Sequence, residues 1–418
     1  MSEQNSVISA EDKAQDILSL EKASIMREKN SSVKHKKTDN KKAAQNGTAK
    51  TNPKRRRRRI LITLSSVIGA VVCLYLVVVF SNIPFIAYWR GIWIETAMTT
   101  GKHHWLATAF FPKNTIDEVM KNYTTNSGIV GGNDLLIMND ETKDTRDTDN
   151  EKDEPVKEQR PEDILGQKEL SVGDKDYAGN TILVNDIEEG LIISEIVRGS
   201  FRGQIMLIDD PSRVFVGQTQ YQNNTGMRIL DMMEVYGAVA GINASGFNDP
   251  AGNGNGGTIV GLSCSEGNYW GNYLSGYSSI VLTTDDKLVV GDIGSWDQYN
   301  IRDGIQFYPV LIADGVQQVT GSAGYGLQPR TAVGQREDGV IAFLIIDGRD
   351  VTWSVGCTVG DLAEILMDYD IVNASCCDGG ASSCLAYNGK ITTKNCSWNP
   401  SIGRILPNAF MVKSKKAG

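Results

Sequence analysis

A run of 21 uncharged residues, 60–80 (ILITLSSVIGAVVCLYLVVVF), constrains this 418-residue chain more than any other feature. As a helix it is long enough to cross the hydrocarbon core of a bilayer. Six consecutive cations, residues 54–59, stand directly before it. We therefore predict one transmembrane helix over residues 60–82, with separate regions of the protein on its two sides.

The alternative to an anchor is a cleaved signal peptide, whose apolar region is usually about 7–15 residues long and ends at small residues. Here the run is longer and continues into bulky Ile83, Phe85, Tyr88 and Trp89. Because positive residues stay on the cytoplasmic side, the N-terminus is expected inside and the chain after residue 82 outside, in a single-pass protein of the cell membrane. The cations are also expected to contact anionic lipid head groups.

The two sides differ in charge. Residues 1–59 carry 16 basic and 7 acidic residues, which leaves 26 basic and 43 acidic residues, a net charge of −17, for the rest of the chain. A strongly acidic body without a basic, aromatic surface argues against nucleic acid as a partner.

Composition divides the chain further. Residues 1–59 are polar and are expected to form a disordered basic cytoplasmic tail. Residues 83–139 form a membrane-proximal segment that contains three tryptophans and a helical pattern, TIDEVMKNY. Residues 140–165 form an acidic stalk, and residues 166–418 form one folded domain.

The pattern within residues 166–418 indicates an α+β fold, a β-rich single domain with few helices. Apolar runs bounded by Gly and Asn predict strands at 191–196, 204–209, 279–283 and 339–346, and a hairpin at 385–392 around Asn388-Gly389. Periodicity predicts helices at 226–236 and 358–369, the second capped by Thr358.

Histidine usage limits the chemistry. The three histidines are His35, His103 and His104, so none lies in the folded domain. A Ser-His-Asp or Cys-His apparatus and a histidine-ligated zinc site are therefore not expected there. The remaining candidates are carboxylates, arginines, hydroxyls, amides and backbone groups.

Six of the seven cysteines lie beyond the apolar run, and spacing cannot choose among their 15 possible pairings. Disulfides are expected, with free thiols as the alternative. Adjacent Cys376 and Cys377 should not bond each other, because that ring is strained. We expect them to face opposite sides of a strand.

Candidate site residues stand at strand ends and Gly-rich turns. Asp378-Gly379-Gly380 can point N–H groups and a carboxylate into one small space. The other candidates are Asp347 and Arg349 in IIDGR, Arg330 and Thr331 in PRT, Asn243, Ser382, Arg404 and Asn408. No metal ligand is assigned, although an irregular calcium site is an open alternative at Asn248, Asp249, Asn253 and Asn255.

Six ordered motifs (GINASGF, YPVLIADG, PRTAVGQREDGVIAFLIIDGR, SVGCTVGDLAEIL, CDGGASS and GRILPNAF) resemble the phosphodiester glycosidase family over roughly residues 190–412. The family's Pro-Arg-Thr and Asp-Gly-Arg are intact here. Its Asn-Leu-Asp-Gly-Gly-Gly-Ser reads CCDGGAS, and its Asn-Gly-Gly-Phe-Phe reads NASGF. The resemblance implies a hydrolase that cleaves a sugar-1-phosphodiester, such as an α-GlcNAc-1-phosphodiester, in cell-envelope or exopolysaccharide glycans.

Such a reaction needs cations on the phosphate and an anion near the anomeric carbon, because the departing phosphate is already a stable anion. Arg349, Arg330 and Arg404 can supply the cations. Asp378 or Asp347 can supply the anion as base or nucleophile. Asn243, Thr331, Gly379, Gly380, Ser382 and Asn408 are expected to contact the sugar or the phosphate.

Two other functions stay open at this point. The domain could be a catalytically inactive module that binds or assembles glycans, which predicts binding without turnover. It could instead be a phosphoglycan transferase, which would consume a lipid-linked donor only when an acceptor hydroxyl is present.

Overall fold

The computed structural model describes residues 53–121, 123, 128–132 and 161–417. The predicted cytoplasmic tail up to residue 52, and most of the predicted acidic stalk, lie outside the described residues. The chain divides into two units, residues 1–71 and residues 72–418.

Six α-helices lie within the described residues. Their bounds are α1 Pro53–Phe80, α2 Pro84–Met98, α3 Trp105–Thr108, α4 Lys113–Met120, α5 Ile229–Tyr236 and α6 Val359–Met367. Among the described residues, one candidate membrane span occurs, Arg57–Phe80 within α1, by length and composition. The predicted helical pattern at TIDEVMKNY corresponds to α4.

Helices α2, α3 and α4, which we call the proximal helices, pack around a small core of their own. That core contains Val79, Ile94, Ala97, Phe111 and Ile116. Aliphatic residues at positions 94 and 97 lie on the same face of α2 because a helix repeats every 3.6 residues.

Apart from α5 and α6, antiparallel strands in four sheets form most of the remaining described part of the second unit. The eight-stranded sheet has the order β14-β13-β17-β15-β16-β4-β3-β2, with β2 Thr181–Asp186, β3 Leu191–Arg198, β4 Phe201–Ile208, β13 Val310–Ala313, β14 Val316–Gln317, β15 Arg330–Arg336, β16 Ile341–Ile346 and β17 Ile371–Cys376. The six-stranded sheet has the order β1-β11-β10-β12-β8-β9, with β1 Val130–Gly131, β8 Leu262–Ser265, β9 Asn268–Gly271, β10 Ser278–Thr283, β11 Leu288–Gly291 and β12 Ile301–Phe307.

The two smaller sheets complete the fold. The five-stranded sheet has the order β19-β18-β7-β21-β5, with β5 Val214–Gln218, β7 Ala238–Asn243, β18 Leu385–Tyr387, β19 Lys390–Ile391 and β21 Asn408–Lys413. Strands β6 Met227–Arg228 and β20 Ile405–Leu406 pair with each other. The predicted α+β, β-rich class is confirmed.

Strand β16 shows why the sequences of the central strands are unbroken runs of apolar residues. Successive side chains of a strand point to opposite faces. Ile341, Phe343 and Ile345 enter a core shared with the five- and six-stranded sheets. The alternate residues of β16 enter a second core against α6. Both faces are covered, so both sets must be apolar.

Local signals set the element ends. The Thr358 hydroxyl accepts from the N–H of Asp361, whose carboxylate accepts from the N–H of Thr358, a capping box that begins α6. Asn388 and Gly389 have φ of 48° and 72°, as a tight two-residue turn between β18 and β19 requires. The predicted strands, helices and hairpin are present, although the first turn of predicted helix 226–236 is strand β6.

All seven cysteines are unpaired, so the expected disulfides are not supported. Cys264, Cys377 and Cys384 lie in three different cores, whereas Cys357 and Cys376 share a fourth core without forming a bond. Cys376 lies in the core beneath α6, and Cys377 lies in the core on the opposite side of the sheet. That opposite placement is the one predicted from their adjacency.

Candidate active site

A cleft of about 1190 Å³ lies beside the proximal helices, at the end of the eight-stranded sheet where strands β16 and β17 finish. Its position follows from strand register. Strand β15 runs antiparallel between β16 and β17, with Arg330 opposite Ile346 and Ala332 opposite Cys376. The start of β15 therefore lies beside the ends of β16 and β17, and the turns that follow those two strands reach the same edge. Arg330, Arg349, Asp378, Gly379 and Gly380 all line the cleft.

Backbone hydrogen bonds fix the Asp378 turn. The N–H of Asp378 donates to the carbonyl of Ala244 at 2.8 Å, and the N–H of Gly380 donates to the carbonyl of Pro329 at 2.9 Å. The side-chain amide of Asn243 donates to the carbonyl of Asp378 at 2.6 Å. The turn is thus tied to two neighbouring segments rather than suspended as a free surface loop.

Asn243 is buried beneath the cleft and holds neighbouring segments together through hydrogen bonds. Its Oδ1 accepts from the Thr331 hydroxyl at 2.7 Å and from the N–H of Cys384 at 3.2 Å. Asn243 and Thr331 are buried, and neither is among the residues that line the cleft. Both were predicted to contact substrate, and the structure places them beneath the turn that carries Asp378.

Asn408 is buried in a similar way. Its amide donates to the hydroxyls of Ser245 and Ser263 at 3.0 and 2.9 Å, and its Oδ1 accepts from the N–H of Ser245 at 2.9 Å. It does not line the cleft. Ser382 is buried as well and reaches the site from below.

The Asp378 carboxyl group lies in the cleft, and its side chain is only partly accessible to water. Burial raises its pKa to about 6 because desolvation disfavours the charged form. The nearby Ser382 hydroxyl, the Arg404 guanidinium and the Gly379 N–H lower the pKa and offset part of this effect, although the Ser382 contact lacks the geometry of a formed hydrogen bond.

Arg349 is an exposed cation in the cleft. Its backbone φ of 62° is uncommon for a residue other than glycine and directs the side chain back over the Asp378 turn. Its Nε and one terminal nitrogen donate to the side-chain oxygen of Gln328 at 3.2 and 2.8 Å. A Cβ built on Gly380 would stand 3.0 Å from that guanidinium, so the guanidinium would have to move to make room for it.

The other two arginines are already engaged. Arg330 donates to the carbonyls of Tyr325 and Gly326, both at 2.9 Å, and so holds one wall of the cleft. Arg404 donates to Asp249 at 2.8 Å and lies over the ring of Phe247 at 4.7 Å. The positive charge of Arg404 lowers the pKa of Asp378.

Asp347 does not line the cleft. Its Oδ2 accepts from the indole N–H of Trp353 at 2.9 Å and from the N–H of Lys394 at 3.2 Å. Burial raises its pKa. Of the two predicted carboxylates, Asp378 is therefore the one that faces the open space beside Arg349.

The asparagine-rich loop considered for calcium has its side-chain oxygens turned to protein donors. Asn253 Oδ1 accepts from Lys102 at 3.4 Å, and Asn255 Oδ1 accepts from the N–H of Gly257 at 3.1 Å. Within residues 53–121, 123, 128–132 and 161–417, no cluster of three or more His, Cys, Asp or Glu side chains could hold a metal.

A second set of cleft residues, which the sequence did not predict, lies in the membrane-proximal segment. Residues Thr99, Lys102 and His103 line the cleft. Thr99 donates to the carbonyl of Tyr325 at 3.2 Å, across 226 positions of sequence. His103 therefore lines the cleft from outside residues 166–418, which contain no histidine.

A wall of four tyrosines was also missed. The side chains of Tyr123, Tyr277, Tyr308 and Tyr325 contact one another, with ring centroids 4.6 Å apart for Tyr123 and Tyr325 and for Tyr277 and Tyr308. Burial raises the pKa of all four, so their phenols are neutral donors at pH 7. Only the aromatic positions in YPVL and AGYG hinted at such a wall.

Residues 236–413 match the sequence profile of the family described as phosphodiester glycosidase. These residues belong to the phosphodiester glycosidase family. The match contains every cleft residue named above except those of the membrane-proximal segment. Strands β2–β5 precede it and pair into the same sheets, so the folded phosphodiester glycosidase domain is larger than the matched stretch.

Individual relatives are distant. The SPbeta prophage-derived uncharacterized protein YomE of Bacillus subtilis (strain 168) is 28% identical over 199 residues, which cover 43% of this chain and 28% of the relative. The chain thus spans just over a quarter of that relative's length.

Two solved structures are similar at low identity. One is the catalytic domain of zebrafish N-acetylglucosamine-1-phosphodiester alpha-N-acetylglucosaminidase, 20% identical with a TM-score of 0.45, covering 54% of this chain and 82% of that one. The other is a hypothetical protein from Synechocystis, 16% identical with a TM-score of 0.40, covering 56% and 63%.

Replacing Asn243 by Ala should lower the free energy of unfolding by about 1–3 kcal/mol, because buried partners lose their hydrogen bonds. It should also lower activity per folded molecule, since the Asp378 turn loses its support. Asn185→Ala is the matched control, because Asn185 makes three comparable hydrogen bonds on edge strand β2, away from the cleft. Urea unfolding and activity of the folded fraction check this, and equal activity in both variants would contradict it.

Gly380→Ala and Gly389→Ala separate backbone strain from the position of Arg349. Both glycines have positive φ, 66° and 72°, so each variant should lose about 1–2 kcal/mol of stability. Only at position 380 does the new methyl group meet a guanidinium, whereas nothing lies within 4 Å at position 389. Displacing a charged hydrogen-bond donor should lower kcat/KM by about tenfold or more in Gly380→Ala alone. Equal kinetics in the two variants would disprove the contact.

Proposed function

We propose that this protein is a membrane-anchored extracellular hydrolase that cleaves a sugar-1-phosphodiester in cell-envelope or exopolysaccharide glycans. The supporting observation is that one cleft brings together Asp378, Arg349 and Arg404 on a domain of the phosphodiester glycosidase family. An anionic diester needs cations around its phosphate, and the anomeric carbon needs an anion or an activated water beside it.

The cations come from different segments. Arg349 offers an exposed guanidinium held at one side by Gln328, and Lys102 stands in the loop that faces it. Hydrogen bonds between guanidinium and phosphate are short and charge-assisted, so they discriminate for a phosphodiester over an ordinary glycoside. The N–H of Gly380 already donates to the carbonyl of Pro329, so the backbone contribution is limited to the N–H of Gly379, beside the Asp378 carboxylate.

Asp378 supplies the anion. With a pKa of about 6 it is mostly ionised at pH 7 yet remains basic enough to accept a proton from water. The alternative role is direct attack on the anomeric carbon as a nucleophile. The phosphate leaves as a stable anion, so a second, protonated carboxyl group is less necessary than in ordinary glycosidases.

The tyrosine wall suits the sugar. Aromatic rings offer a rigid apolar face, and their hydroxyls donate hydrogen bonds at the rim of that face. Tyr277 and Tyr308 lie close enough to Asp378 for their pKa values to respond to its charge. A sugar stacked on this wall would place its anomeric carbon between the wall and the carboxylate.

The membrane anchor and the extracellular location are supported by α1. Its apolar window has a mean hydropathy of 2.5, and 6% of that window is buried within the protein. Cations at its N-terminal end favour a cytoplasmic N-terminus. The domain that carries the cleft would then lie outside the cell.

The direct test is to incubate the full chain, in detergent, with several GlcNAc-1-phosphodiesters and to measure free reducing sugar. We expect release of the sugar and the phosphomonoester together. Binding without turnover would favour a catalytically inactive module, and turnover only in the presence of an acceptor alcohol would favour a transferase.

The pH profile tests the role of Asp378. Activity should be lost as the pH falls through about 6, because protonation removes the base or nucleophile. Asp378→Asn should lose about 10²–10⁴-fold in kcat. Asp347→Asn is the matched control and should keep the acidic limb. A rate that instead falls as the pH rises through this range would assign Asp378 the role of a general acid.

A further inference from the structure

We propose that the scissile phosphodiester joins its sugar to a membrane lipid of the outer leaflet, an inference that rests on the proposed function. The observation behind it is that the same short segment presents exposed aromatic side chains and builds one wall of the cleft. That segment, residues 84–103, comprises α2 and the loop that follows it.

The first half of α2 is suited to a membrane interface. Phe85, Tyr88, Trp89 and Trp93 are between 50% and 72% exposed, and Trp105 beyond the helix is 56% exposed. Large exposed aromatics are unusual in a soluble surface, whereas tryptophan and tyrosine concentrate at the head-group level of membranes.

The aromatic side chains continue an apolar surface that ends just before them. Leu74, Leu76 and Phe80 near the end of α1 are 47–65% exposed. Arg90 of α2 donates to the carbonyls of Val79 and Ser81, both at 2.9 Å, so α2 is fastened to the end of α1. The occupant that fits both surfaces is the bilayer, with its core against α1 and its head groups against α2.

The second half of α2 is fastened to the cleft. Gln328 donates to the carbonyl of Thr96 at 2.9 Å, and the Thr96 hydroxyl accepts from the N–H of Leu327 at 3.0 Å. A Cβ on Gly326 would stand 2.4 Å from the backbone nitrogen of Thr96, so the two segments approach as closely as backbones can. This contact leaves little freedom between the aromatic residues and the cleft wall.

The rise of α2 limits the distance between the cleft and the aromatic residues at the membrane, whatever the tilt of the helix. At 1.5 Å per residue, Thr99 lies about 15 Å from Trp89 and about 9 Å from Trp93 along the axis. The loop after Thr99 contains Lys102, which lines the cleft and donates to Asn253. A sugar phosphate that projects from a lipid head-group layer can span this distance between the membrane surface and the cleft.

A lipid-linked donor also agrees with the charge of the wall. Lys102 is exposed beside the cleft, where a phosphate emerging from the membrane would first meet the protein. Confinement of enzyme and donor to one membrane raises their effective concentration, which acts mainly through KM. A soluble diester would lack that gain.

The test uses the full chain reconstituted in phosphatidylglycerol and phosphatidylethanolamine vesicles. Two donors are compared, the GlcNAc-1-phosphodiester of a long-chain polyprenol in the same vesicles and that of methanol in solution. At equal bulk concentration we expect release of GlcNAc to be about 10²-fold faster from the polyprenyl donor, through a lower apparent KM.

A double variant separates the effect of the aromatic contact with the membrane from the effect of the anchor α1. Phe85→Ser with Trp89→Ser keeps α1, so the protein stays in the vesicles, but loses the aromatic contact that sets the height of the cleft. We expect the preference for the polyprenyl donor to fall about tenfold while the methanol donor is cleaved as before. Tyr221→Ser, at a tyrosine that is 52% exposed on the folded domain, is the matched control and should change neither rate.

The outcomes are decisive. Equal or faster cleavage of the methanol donor by the wild-type protein overturns the inference while leaving the hydrolase intact. A double variant that keeps the full preference overturns it too. Cleavage of neither donor overturns the proposed function and this inference with it. Should the double variant lose both activities alike, Phe85→Ser alone replaces it in the same comparison.

Discussion

The candidate site depends on the register of β15 between β16 and β17. Because these strands alternate in direction, the start of one and the ends of its neighbours share an edge, and motifs dispersed along the chain converge there. A slip of one residue would turn every β15 side chain to the other face. The buried apolar faces on both sides of the sheet prevent that slip, so the packing that stabilises the domain also aligns the site.

Placing Asp378 in this cleft has an electrostatic cost, visible in its raised pKa. Arg404 offsets it in part, but Arg404 is itself paired with Asp249, so the offset is incomplete. A bound phosphodiester would add a further negative charge near Asp378 and raise its pKa again. Arg349 is an exposed cation positioned to neutralise that added charge, and its unusual backbone conformation has an energetic cost.

Much of this could be read from the sequence, and the exceptions have physical reasons. Apolar runs such as β16 and the cap at Thr358 are local signals, so they predict local structure. From the sequence alone, Asn243 resembles a ligand-binding residue. Whether its amide contacts substrate or backbone is decided by tertiary packing, which a sequence pattern does not show. The position of His103 beside the cleft cannot be predicted from the sequence, because it depends on contacts between α2 and a loop more than 200 positions away, which no periodicity encodes.

Gln328 connects these two parts of the molecule through one planar amide. Its nitrogen donates to Thr96 of α2, and its oxygen accepts from Arg349. Because the amide is rigid, a movement of α2 must either break one of these bonds or carry Arg349 with it. Arg349, which we propose binds the phosphate, is thus held by a side chain that also contacts α2. A change in how α2 contacts its surroundings would therefore reach Arg349 through the hydrogen bonds of the Gln328 side chain.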